Sequence, residues 1–60
     1  MEMLYSTVLK LSDEDAERVK AYCLEHNLRT SVFRTENKTL PNCIYVWGTR
    51  RELKKFSEYF

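Results

Sequence analysis

A run of five strand-forming residues, Cys43-Ile44-Tyr45-Val46-Trp47, constrains this chain more than any other stretch. It is entered through Pro41 and closed by Gly48, the only proline and the only glycine present, which is how strands are commonly bounded. With a side-chain period of two, Ile44 and Val46 share one face while Cys43, Tyr45 and Trp47 share the other. Both faces are therefore apolar, and a chain of 60 residues has to find cover for the second. At this length folding removes only about 60% of the unfolded chain's surface from water, so one core and one domain over residues 1–60 are all it supports. The next four residues, Thr49-Arg50-Arg51-Glu52, have the spacing of a capping box, which predicts a break near Gly48 and a helix opening at Thr49. In that helix Leu53, Phe56 and Phe60 form an apolar stripe, and Arg50, Arg51, Lys54 and Lys55 occupy the rest of the surface.

Upstream, Glu2 to Leu11 begins the fold, and Tyr5-Ser6-Thr7-Val8-Leu9 has the β-branched and aromatic character of a strand. Its facing is open to two parities. We take Leu4, Ser6 and Val8 inward, which sends Tyr5 outward. Ser12-Asp13-Glu14-Asp15 predicts a helix start, with Ser12 as N-cap, three acids against the positive end of the helix dipole, and Leu11 and Ala16 as a hydrophobic staple. Ala16, Val19 and Cys23 make a thin apolar stripe, continued by His26 and Asn27, with Tyr22 and Leu24 at its margins. Asn27 suits a left-handed C-terminal cap. A second strand, Leu28 to Arg34, then alternates Leu28, Thr30 and Val32 with Arg29, Ser31 and Phe33, so that Phe33 leaves the core face. The polar stretch Thr35 to Leu40 is short enough for an antiparallel hairpin loop to the Cys43–Trp47 strand.

These elements predict a small two-layer α+β domain of order β-α-β-β-α, with a three-stranded sheet and both helices on one face. The order resembles a ferredoxin-like fold lacking its last strand, and the resemblance implies the first strand in the middle of the sheet. One sheet face is then uncovered. On it we expect Arg29, Phe33, Tyr45, Trp47 and Tyr5.

Charge is uneven. Residues 1–28 hold six acids and three bases, a balance of −3, whereas residues 29–60 hold seven bases and three acids, a balance of +4, for the net +1 of the chain. Such polarity can orient a charged partner, but the total is far from the basic excess of dedicated nucleic-acid binders. The apolar runs fall well short of the roughly 20 residues a helical bilayer span needs, so no membrane role is expected. Two cysteines make no disulfide framework, and the opening residues place an acid where a secretory leader carries bases, so reduced thiols and a cytoplasmic setting are expected. The Asn37-Lys38-Thr39 sequon then carries no modification.

Catalysis is not expected, nor a cofactor. Nucleophilic chemistry would need an activated serine or cysteine beside the lone His26, and no glycine-rich elbow or phosphate cradle surrounds any candidate. Cys23 and His26 sit one helical turn apart and Cys43 would be a third ligand, but no fourth is evident, and structural zinc takes four. Thr49, Arg50 and Arg51 pair a helix N-terminus with two bases, an arrangement able to hold a phosphate or carboxylate.

The function expected is therefore binding. Tyr, Trp and Arg concentrate energy in protein interfaces, and on the open face they converge. A small stand-alone module of this kind would use the face to form a homodimer, or to inhibit or regulate a larger protein, as small virus-encoded inhibitors do. The alternative is single-stranded RNA or DNA. Tyr5, Tyr45 and Trp47 together resemble the stacking aromatics on the first and third strands of the RNA recognition motif. That family's third-strand glycine and basic positions are absent here, as is a fourth strand.

Overall fold

The structure, a computed structural model, describes residues 3–60, so Glu2 of the expected opening segment lies outside the described residues. The chain forms β1 (Tyr5–Leu11), α1 (Asp13–Glu25), β2 (Arg29–Arg34), β3 (Asn42–Gly48) and α2 (Arg50–Tyr59). This is the β-α-β-β-α order expected, with a three-stranded sheet in a small α+β domain.

The strand order is β1-β3-β2, and both neighbours run antiparallel to β3. The expectation that the first strand lies in the middle is thus corrected: β3 is central, inserted between two strands that are parallel to each other but never pair. The reason lies in the residues. A central strand is hydrogen-bonded on both sides and is the most covered of the three, and β3 carries the longest unbroken apolar run, Cys43 to Trp47. The order remains consistent with a ferredoxin-like sheet of three strands.

Local chemistry sets the helix ends. Ser12 Oγ accepts the Asp15 backbone N–H at 3.3 Å, and Asp13, Glu14 and Asp15 fill the positive first turn of α1. At the other end Asn27 is left-handed, with φ 58°. There the Leu28 N–H reaches Cys23 O (2.8 Å) and the Asn27 N–H reaches Leu24 O (3.4 Å). This is a Schellman motif with asparagine in the place of the usual glycine. It swings Leu28 back against Cys23 in the core, and β2 starts one residue later than the sequence pattern suggests.

In α2 both halves of the capping box are present. Thr49 Oγ1 accepts from the Glu52 N–H (3.2 Å), and Glu52 Oε1 accepts from the Thr49 N–H (2.8 Å). Gly48 precedes the cap with no positive φ. Space there is tight, because a Cβ would lie 3.2 Å from Glu52 Cβ and 3.3 Å from Leu28 Cδ2, and these neighbours would have to give by a few tenths of an ångström.

The core lies between the sheet and the helices. It comprises Ala16, Val19 and Cys23 of α1, Leu28 just before β2, Ile44 and Val46 of β3, and Phe56 of α2, with Leu9, Leu11, Tyr22 and Leu53 packed against it. Leu9 and Leu11 decide the facing of β1. Thr7, Leu9 and Leu11 point towards the helices, so Ser6, Val8 and Lys10 point the other way. Tyr5 shares the helix-side parity, and its expected place on the outer face is corrected. The physical reason is that turning Ser6 and Lys10 inward would desolvate a hydroxyl and an ammonium, whereas the observed parity packs two leucines, partly buried, against the core.

Aromatic rings bridge the helices. Tyr22 stacks on His26 (4.2 Å between centroids) and meets Phe56, Tyr59 and Phe60 at 5.6, 4.9 and 5.5 Å. The Arg18 guanidinium lies 5.8 Å from the Phe60 centroid.

Candidate functional site

The face of the sheet away from the helices follows from register. Directly opposed residues share a face, so Ser6, Trp47 and Arg29 form one row across the three strands. Val8, Tyr45 and Ser31 form the next row, and Lys10, Cys43 and Phe33 the third. Neither helix covers these rows. The Thr35–Leu40 loop is folded on itself and borders the face through Thr35: the Thr35 N–H donates to Pro41 O at 2.7 Å, and Asn37 Oδ1 accepts the N–H groups of Thr39 and Leu40, each at 2.9 Å.

Three rings run in contact over this face. Phe33 meets Tyr45 edge to face at 5.8 Å, and Tyr45 stacks with Trp47 at 5.9 Å and 20° between planes. Phe33 is 56% exposed, Val8 50% and Tyr45 37%, whereas Trp47 is half-buried, so the ladder is open to water at its Phe33–Tyr45 end. With Cys43 and Thr35 the rings line one shallow, mostly apolar depression. The rows carry two bases at diagonal corners, Lys10 and Arg29, and no acid. Neither base has an ion-pair partner among the described residues.

Four of the five residues expected on this face, Arg29, Phe33, Tyr45 and Trp47, are brought together there, and Tyr5 is not. Val8 and Lys10 belong to the face and escaped the sequence reading, although the pattern held the signal. Lys10 shares the parity of Ser6 and Val8, and a lysine on a strand marks its wet side.

The second expected group, Thr49, Arg50 and Arg51, is placed at the start of α2 beside Met3 and Tyr5. Its backbone is already engaged. The Glu52 carboxylate takes the Thr49 N–H, so a negative charge sits at the point an anion would occupy. Cys23, His26 and Cys43 do not converge either. Cys23 is buried beneath the helix-side face, and Cys43 lies on the opposite face of the sheet. No group of three or more His, Cys, Asp or Glu side chains that could hold a metal occurs among the described residues. Burial pushes the Cys23 thiol above its ordinary pKa, which keeps it protonated. No described helix is long and apolar enough to cross a membrane.

No protein-family model, curated protein or solved structure matches this chain.

Proposed function

We propose that this domain is a non-enzymatic protein-binding module that works through the open face of its sheet. The observation that carries the reading is the Phe33–Tyr45–Trp47 ladder, open to water at Phe33 and Tyr45, with bases and no acids in its rows. Rings held by neighbouring rings lose little freedom on binding, so their burial is turned into affinity with a small entropic cost. Lys10 and Arg29 favour a partner with acidic groups beside an apolar patch. Regulation or inhibition of a larger protein is the role that fits such a surface.

Trp47→Ala tests this. It should weaken association with the partner by about 2 kcal/mol, with a circular-dichroism spectrum and melting curve close to wild type and a modest response to salt. Unfolding of Trp47→Ala would make the ring part of the core and end the proposal. The alternative, single-stranded nucleic acid, loses its expected first-strand ring, because β1 offers only Ser6, Val8 and Lys10 to the face and the rings come from β2 and β3 alone. Binding of an oligonucleotide that collapses steeply with salt and is lost in Trp47→Ala would nonetheless select it.

A further inference from the structure

A second surface lies along the outer edge of β1. Among the described residues β1 pairs only with β3, so one full side of its backbone N–H and C=O groups has no partner strand. Native edges are normally blunted by bulges, prolines, short length or several charges. This edge has none of these: seven residues, no proline, one charge (Lys10), and an unbroken register from Tyr5 to Leu11. The other edge strand, β2, is shorter, carries an arginine at each end, and has Arg34 tied to Asp13 of α1 at 3.0 Å.

The helix side of the β1 edge is basic at its Tyr5 end, and the open-face side presents Val8 between Ser6 and Lys10. On the helix side Arg50 and Arg51 line a depression with Met3 and Tyr5. Further along, Ser57 lines a groove with Thr7, Leu9 and Leu11, walled on its far side by Phe56, Phe60 and the Asp15 and Arg18 of α1, and helical spacing sets Lys54 on the same stripe of α2 as Arg50 and Ser57. Arg50, Arg51 and Lys54 have no ion-pair partner among the described residues. On the open-face side, Val8 is half-exposed at the middle of the strand.

We infer that the β1 edge accepts an acidic, extended segment of another protein as a fourth strand, its acidic side chains turned to the Arg50–Lys54 stripe and its apolar ones to Val8. Main-chain hydrogen bonds to the edge would provide affinity, and the alternation of acid and aliphatic residues the specificity. Charge chooses this occupant over a second copy of the chain. Two β1 edges joined about a two-fold axis would set the basic stripes of both α2 helices side by side. The inference stands apart from the sheet-face reading, because it uses another surface.

The test uses synthetic peptides of alternating valine and glutamate, seven residues long, with a valine–lysine counterpart. Two further versions carry N-methyl groups, one on the valine nitrogens only and one on the glutamate nitrogens only. The valine–glutamate peptide should shift the amide resonances of β1 and of Arg50 and Arg51, slow hydrogen exchange at alternate β1 amides, and leave the Tyr45 and Trp47 side chains unmoved. The lysine peptide should not bind. One methylated version should bind at least tenfold more weakly while the other binds as well as the parent, because only one set of nitrogens faces β1. The double variant Arg50→Glu, Arg51→Glu should reverse the preference between the two charged peptides, and acids at these first-turn positions suit the helix. Equal binding by both methylated peptides, shifts confined to the sheet face, no binding by the acidic peptide, or a free-protein dimer with its β1 amides already protected would overturn the inference. Loss of the sheet-face function in Trp47→Ala leaves these outcomes unchanged.

Discussion

Val46 has no exposed surface and points from the central strand into the layer between sheet and helices. A carboxylate there would be desolvated with no base within its packing shell, a cost of several kcal/mol against a stability of similar size in so small a domain. Val46→Asp is expected to be unfolded by circular dichroism, whereas Val8→Asp, one strand away on the open face, should remain folded. The two cysteines differ for the same reason. Cys23 is buried with its thiol held protonated, and Cys43 is partly exposed beside Phe33 and Tyr45. A thiol reagent should therefore modify Cys43 first, and Cys23 only at the rate of opening of the fold; equal rates would place Cys23 at the surface.

At the scale of elements, the junction from β3 to α2 shows how closely local and tertiary demands agree. The same Glu52 that completes the capping box presses against the position where Gly48 lacks a Cβ, so a strand end, a cap and a helix start share one small volume. Thr49→Ala removes the acceptor for the Glu52 N–H and should cost about 1 kcal/mol, a fall in melting temperature of roughly 4–8 °C for a domain of this size. Thr49→Ser should restore most of it. A Thr49→Ala protein that melts with wild type would show that the box contributes nothing beyond its geometry. The C-terminal end of α1 is handled differently. Asn27 supplies the left-handed residue, and its successor Leu28 is already part of the core, so the helix stop and the start of β2 are one event.

For the whole molecule, Asp13 is the point where four elements meet. Its Oδ1 accepts from Asn42 Nδ2 at 2.8 Å and from Arg34 Nη1 at 3.0 Å, and Asn42 Nδ2 also reaches Leu11 O at 3.4 Å, which ties the start of α1 to the ends of β1, β2 and β3. The Asn42 hydrogen bond first, and then Arg34, hold the Asp13 carboxyl below its ordinary value of 3.8. A pKa depressed on folding contributes stability above the unfolded value, and the contribution is lost as pH falls through the folded one. Asp13 should thus add an acid-labile component that fades below pH 3.8, small because the carboxylate is exposed. Unfolding followed by denaturant at a series of pH values should show a shallower acid decline for Asp13→Asn than for wild type; identical slopes would remove Asp13 from the account.

What the sequence determined by itself is what short-range chemistry decides. The Ser12 and Thr49 caps, the left-handed Asn27, the two-sided apolar character of β3 and the outward turn of Phe33, Tyr45 and Trp47 depend on neighbours within a few residues. The clustering of Arg29, Phe33, Tyr45 and Trp47 was legible for that reason, since alternation along β2 and β3 already separates their faces. Strand order was not legible, because it depends on which edges pair across long stretches of chain, and β3 lies in the centre only once β1 and β2 have both been laid against it. The facing of Tyr5 turned on the same pairing. An amphiphilic strand such as β1 has two plausible parities until Leu9 and Leu11 meet the core contributed by α1 and α2, and that meeting leaves Val8 and Lys10 outside.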